Sequence, residues 1–248
     1  MQKRIMWINP VGSTGFDQPV QELLETAKQR DTCIDVVSLS KGPSHLTYMY
    51  YEAYVLNELL DLILRAEEED YDAAVIGCFY DVGLWEAREI TDRLVVTAPC
   101  ESSLHLAATL GKRIAIMVGE NKWIPKMSDN VLTYGFREPV VSFKSVNLGV
   151  HDFQKDPQET RNRLTQLAKE AVEKEMAEVI ILGCTAQFGF YKVLQEKLGV
   201  PVLEAVMTPV KYAEYLIELR NLFGWNHSKA YAYKSPPKEE IALWKPKD

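Results

Sequence analysis

The chain is poor in cysteine, in histidine and in long apolar runs. It has 248 residues, with four of each of those two residue types. No C-x-x-C pair links Cys33, Cys78, Cys100 and Cys184. That excludes the spacing of a structural zinc site and of a dithiol redox motif, and no metal is expected. No apolar stretch approaches the ~20 residues that cross a bilayer, so no membrane partner is expected. Basic clusters are missing too. Lys and Arg total 28 against 35 Asp and Glu, a net charge of −7. Such a balance repels a phosphate backbone and argues against nucleic acid. Gly12 and Gly15 alone do not make a dinucleotide loop, so no cofactor is expected. The opening residues 1–10 are too short in apolar length for a secretion leader. The cytoplasm is the expected compartment, where thiols stay reduced.

What is present is an alternation of strand-like and helical patterns, the mark of parallel sheet flanked by helices. Residues 3–9 read as a strand, 18–29 as a helix and 34–39 as a second strand. Residues 50–69 carry an apolar stripe of Val55, Leu59, Leu60, Ile63 and Leu64 at helical spacing. An apolar run then ends at Cys78, followed by a short helix over 84–91 and a short strand over 94–97.

The second half repeats this order. Lys112-Arg113-Ile114-Ala115-Ile116-Met117 echoes Lys3-Arg4-Ile5-Met6-Trp7-Ile8, 109 positions on. Val179-Ile180-Ile181-Leu182-Gly183-Cys184 echoes Ala73-Ala74-Val75-Ile76-Gly77-Cys78, 106 positions on. The helix over 158–174 matches the one over 50–69. A near-constant offset across several elements implies duplication. The expected fold is α/β: two similar lobes about a pseudo-two-fold axis. Residues 1–98 with 209–225 would form the first lobe and 99–208 the second. Pro209 is suited to start a helix that packs on the first lobe. Residues 226–248 would be a polar tail, either disordered or laid over a neighbour by its aromatics.

Cys78 and Cys184 each sit where a buried parallel strand stops. In open α/β sheets that edge is where ligands bind, and clefts between lobes are preferred sites. Two thiols on opposite walls of one cleft suit removal of a proton from one face of a carbon and its return to the other. A helix following each cysteine is expected to lower its pKa by backbone N–H groups. Loop amides after each cysteine would hold an enolate oxygen. Cys33 reads as a core residue, while the loop of Cys100 could reach the same cleft. Asn9, Ser13 and Thr14 near the first strand's end, Tyr48, Phe79, Tyr80, Gly119 and Thr185 are the expected substrate contacts. For Ser13, Thr14 and Thr185 helix capping is the competing role. Asp81 and Glu101 read as partners of loop amides, and His105 as a surface or packed residue.

The stretch Gly77-Cys78-Phe79-Tyr80-Asp81-Val82-Gly83-Leu84, with Ala87-Arg88-Glu89 after it, resembles the first cysteine motif of hydantoin and allantoin racemases. Glu101-Ser102-Ser103-Leu104-His105-Leu106-Ala107 resembles the next segment of that group. Ile8-Asn9-Pro10, Gly42-Pro43 and Leu182-Gly183-Cys184 fit as well. Over about residues 3–222 the chain is similar to the aspartate/glutamate/hydantoin racemase superfamily, and most to its hydantoin branch. The resemblance implies a two-lobed fold, a small-molecule substrate, a homo-oligomer and no cofactor. It implies that Cys78 and Cys184 exchange roles as base and acid, depending on the enantiomer bound. Departures occur at Val11-Gly12 after Pro10, at Tyr80 where a small residue is usual, at Val82, at Thr47 and in Gly183-Cys184-Thr185-Ala186. Glutamate racemase motifs fit less well, since Phe79-Tyr80 and Ala186 replace their polar residues. Three functions stay open: racemisation of a cyclic ureide, a maleate isomerase or arylmalonate decarboxylase reaction on the same fold, and non-catalytic ligand binding.

Overall fold

A computed structural model describes residues 2–244. Among the described residues, eight strands and nine α-helices form two lobes of the same plan, each a four-stranded, all-parallel sheet flanked by helices. The first lobe contains β1 (Lys3–Asn9), α1 (Asp17–Ala27), β2 (Thr32–Ser38), α2 (Met49–Glu68), β3 (Ala73–Ile76), α3 (Leu84–Ile90) and β4 (Val95–Thr97). After α4 (Pro99–Leu110) the second lobe repeats the order. It has β5 (Ile114–Val118), α5 (Ile124–Thr133), β6 (Val140–Ser145), α6 (Pro157–Glu175), β7 (Val179–Leu182), α7 (Tyr191–Leu198) and β8 (Val202–Glu204). Helices α8 (Met207–Phe223) and α9 (Lys238–Trp244) complete it.

The strand orders are β2-β1-β3-β4 and β6-β5-β7-β8. The central strands are apolar on both faces because helices cover both faces. Ile5, Trp7, Ala73, Val75, Ile180 and Leu182 are all fully buried. Matching registers, Ile5 beside Ala73 and Ile114 beside Val179, bring β3 and β7 to the same place in their lobes.

Two helices exchange between the lobes. Helix α4 follows β4 but packs on α5, β7 and β8 of the second lobe. Helix α8 follows β8 but packs on β4, β3, β1 and α1 of the first. Pro99 occupies the first helical position of α4, where its missing N–H costs nothing. Helix α8 starts at Met207, two residues ahead of Pro209. Thr97 Oγ1 donates to the Pro209 carbonyl at 2.9 Å, and the Ser103 and Thr208 hydroxyls meet at 2.8 Å. The crossing is thus tied by buried hydrogen bonds.

Beyond α8, residues 226–235 lie on the chain's own first lobe. Val96 N–H donates to His227 Nε2 at 3.0 Å, and Lys229 Nζ donates to the Arg88 carbonyl at 2.6 Å. Residues 245–248, part of the expected tail, lie outside the described residues. Among the described residues no helix is long and apolar enough to cross a membrane, and no group of His, Cys, Asp or Glu is placed to hold a metal ion.

Candidate active site

The two cysteine strands end in the same way. Gly77 N–H donates to the Ile8 carbonyl at 2.8 Å, and Gly183 N–H donates to the Met117 carbonyl at 2.8 Å. Glycine is required at both places by close approach to a neighbour. A Cβ on Gly77 would stand 2.7 Å from Trp7 Nε1, and one on Gly183 would stand 2.8 Å from Ile116 Cγ2. The chain then turns back on each cysteine carbonyl. Asp81 N–H bonds to the Cys78 carbonyl at 2.9 Å, and Gln187 N–H to the Cys184 carbonyl at 3.0 Å. The same short turn therefore presents a thiol from each lobe.

Both thiols open onto one cavity between the lobes, at the C-terminal ends of β1, β3 and β7. It encloses about 690 Å³, counting its open mouth. Of the expected contacts, Asn9, Phe79, Tyr80 and Thr185 line it together with Cys78 and Cys184. Asn9 is held from both ends: Trp7 Nε1 donates to its Oδ1 at 2.7 Å, and its Nδ2 donates to Asp17 at 2.7 Å. Thr185 Oγ1 donates to the Gly77 carbonyl at 3.2 Å, joining the two cysteine turns across the cleft.

Four expected contacts do not reach the cavity wall. The Ser13 hydroxyl faces Gly15 N–H, and its carbonyl accepts from Ser38 Oγ at 3.0 Å. Thr14 is exposed and its carbonyl accepts from Asp17 N–H at the start of α1. The Tyr48 ring is half-exposed, packed on Tyr51 and under Lys122 Nζ at 5.0 Å. Gly119 lies behind Trp123, whose ring fills the place of a Cβ. Trp123 itself does line the cavity, as do Phe16, His45, Leu46 and Met127, none of which the sequence pattern singled out. A signal existed for His45, which sits in the loop after β2 on the same sheet edge as Asn9 and Cys78.

Cys100 is fully buried and absent from the cavity wall. Its N–H and that of Glu101 both donate to the Asp81 carboxylate at 2.8 Å, and Tyr134 OH donates to it at 2.9 Å. Asp81 thus clamps the first cysteine turn to the start of α4, and burial raises its pKa to about 7. Arg88 reaches Glu101 with a bond of 2.8 Å and also bonds to the Val96 carbonyl. Both carboxylates serve the scaffold. His105 packs its ring on Phe136 with centroids 5.0 Å apart.

The expected lowering of the thiol pKa by helix N-termini is corrected here. Helices α3 and α7 begin several residues beyond their cysteines, at Leu84 and Tyr191, too far for a helix-end dipole to act. Burial dominates instead. It pushes the Cys184 thiol up to about 12, opposed by the N–H groups of Ala186 and Gln187. Cys78 is raised further, first by burial and then by the charges of Glu52, Cys184 and Asp81, against the N–H of Tyr80. His45 is held below the ordinary histidine range by burial and by His151 nearby. Thr47 N–H donates to its Nδ1 at 3.3 Å.

Residues 5–213 match the sequence profile of the Asp/Glu/hydantoin racemase family. The chain belongs to this family. It is 35% identical over 237 residues to a hydantoin racemase of Pseudomonas sp. (strain NS671), covering 96% of this chain and 93% of the relative. It is 33% identical to a hydantoin racemase of Paenarthrobacter aurescens, covering 96% and 99%. Among solved structures, an allantoin racemase from Klebsiella pneumoniae superposes with a TM-score of 0.89. That match has 24% identity and covers 96% of this chain and 95% of the other, a likeness of fold. The family's paired lobes are the architecture described above.

Proposed function

We propose that this protein is a cofactor-independent racemase that inverts a carbon next to a carbonyl in a hydantoin- or allantoin-like cyclic ureide. The observation that carries the reading is that two equivalent strand ends, one per lobe, deliver Cys78 and Cys184 to one cavity. The hydantoin racemases among its relatives support the substrate class.

The chemistry follows from that geometry. A planar enolate needs a base on one face and an acid on the other, and a thiol from each lobe supplies both without rotation of a side chain. One cysteine as thiolate takes the proton from carbon, and the other as thiol returns one to the opposite face. The proton count is unchanged: the resulting state, with the roles reversed, acts on the opposite enantiomer, and a proton passes back from one thiol to the other before the first enantiomer is taken again. Burial leaves both thiols protonated at neutral pH. Taking the first thiol proton is therefore part of the barrier, and general acid-base efficiency falls as the pKa departs from the working pH. Among the described residues, the N–H groups of Phe79 and Thr185 have no backbone acceptor. They are suited to hold the developing enolate oxygen. The aromatic wall of Phe16, Phe79 and Trp123 excludes water and packs the ring of the ureide.

The test is polarimetry of purified protein with enantiopure 5-substituted hydantoins and with allantoin. Loss of rotation with no change in composition, well above the spontaneous rate, supports the proposal. Conversion to a new compound, or no effect on any ureide, would overturn it.

A further inference from the structure

On the far side of Tyr80 lies a second chamber of about 1080 Å³, counting its open mouth. Glu52, Leu56, Trp85, Lys126 and Tyr134 are on its walls. It and the thiol cavity have one wall residue in common, and that residue is Tyr80. The residue is buried, at 7% exposure, and borders both hollow spaces.

The backbone that carries this ring is fixed independently of it. Asn130 Nδ2, from α5 of the other lobe, donates to the Tyr80 carbonyl at 2.8 Å. The neighbouring Asp81 is clamped by Cys100, Glu101 and Tyr134. Shortening the side chain therefore empties space without removing the bonds that aim Cys78. The chamber it would open has an apolar side, Leu56 and Leu84, and an aromatic one, Trp85 and Tyr134, whose rings meet edge to face at 6.4 Å. Lys126 and Glu52 pair at 3.5 Å along its edge.

We infer that Tyr80 is the partition that limits the substituent at the inverted carbon, and that the space behind it accepts a bulky aromatic group once the ring is removed. This inference rests on the racemase reading of the same site. It makes Tyr80 a specificity-determining residue. The phenol ring acts here by its bulk.

The experiment compares 5-methylhydantoin with 5-benzylhydantoin and 5-(indol-3-ylmethyl)hydantoin in wild type, Tyr80→Phe, Tyr80→Leu and Tyr80→Ala. A pocket that gains or loses methylene-sized space discriminates by roughly 10- to 200-fold. The ratio of kcat/KM for the bulky over the small substrate is expected to rise by about tenfold or more in Tyr80→Ala. Tyr80→Leu should fall in between, and Tyr80→Phe should keep the wild-type ratio within about twofold. An unchanged ratio in both Tyr80→Ala and Tyr80→Leu would overturn the partition. So would a loss of kcat on every substrate in Tyr80→Phe, which would assign the hydroxyl a chemical role. If wild type turns over none of the hydantoins, the racemase reading fails by itself. A crystal structure of Tyr80→Ala then decides the partition without substrate: one continuous cavity supports it, and two separate chambers refute it.

Discussion

Thr185 Oγ1 bonds to the carbonyl of Gly77, so the residue after one cavity-lining cysteine holds the residue before the other. It joins the two turns that carry the thiols, and misplacement of reacting groups by about 1 Å is enough to cost on the order of 100-fold in rate. Thr185→Val keeps the shape and removes the donor. It is expected to lower kcat/KM for racemisation by about tenfold or more, while Thr185→Ser stays within a few-fold of wild type. Steady-state kinetics with thermal melts reads this. A Val variant with wild-type kinetics would show that the bond does not position the thiols.

Catalysis should be favoured by alkali. Both thiols are raised by burial, Cys184 to about 12 and Cys78 further. Below these values each is neutral, and the reaction needs one of them as thiolate. The reactive fraction therefore grows about tenfold for each pH unit. Log kcat/KM is expected to climb with a slope near +1 from about pH 7 to pH 9. A flat profile over that range would mean that a thiolate is already present in the free enzyme.

The glycines before the cysteines should resist enlargement. At Gly77 an added methyl meets the Trp7 indole, whose Nε1 is already engaged by Asn9. At Gly183 it meets the Ile116 side chain and, at 3.1 Å, the Met117 carbonyl. Overpacking of this kind costs about 1–3 kcal/mol. Gly77→Ala is expected at the upper end, because an indole cannot yield as a methyl group can. Urea denaturation measures both variants, and Gly77→Ala as stable as wild type would contradict the packing described.

His227 gives stability a dependence on acid. Burial and the nearby Arg88 hold its pKa down to about 4, and its Nε2 accepts from Val96 N–H. The unfolded chain, with a histidine near 6.5, binds the proton first as pH falls. The stabilisation is therefore present above about pH 6.5 and is lost as pH falls towards 4. Its size is up to about 3 kcal/mol. Asp81 and Glu204, both raised by burial to about 7, act in the opposite sense between pH 4 and 7. The comparison that isolates His227 is wild type against His227→Gln. Their stability difference should shrink between pH 7 and pH 4, and a constant difference would refute the linkage.

Much of the architecture was written in the apolar runs. The strands ending at Cys78 and Cys184 are continuous Val, Ile, Leu and Ala, which only a sheet covered on both faces demands. The repeat of Lys-Arg-Ile and Gly-Cys announced the paired lobes. Edge strand β6 and helix α5 were not legible. Val140–Ser145 is only half-buried along its length, and its pairing with β5 is broken by a register shift between Ile114 and Ala115. Helix α5 opens on Ile124-Pro125 directly after a 3-10 turn, which blurs its start.

The cavity lining was legible where it comes from strand ends and obscure where it comes from loops. Cys78, Cys184, Asn9, Phe79, Tyr80 and Thr185 adjoin strands β1, β3 or β7, and the sheet fixes their place. Ser13, Thr14 and Tyr48 are spent on turn bonds and ring packing that spacing alone does not reveal. His45 and Trp123 reach the cavity from connections between elements, and His45 meets His151 of the other lobe with ring centroids 5.9 Å apart.

Hydrogen exchange at the inverted carbon, in D2O with single cysteine variants, tests the two-thiol mechanism most directly. Cys78→Ser and Cys184→Ser are each offered either enantiomer of one 5-substituted hydantoin. Both variants should lose racemisation, and each should exchange deuterium into one enantiomer only, the opposite one for the two variants. Racemisation at the wild-type rate by either single variant would contradict the account.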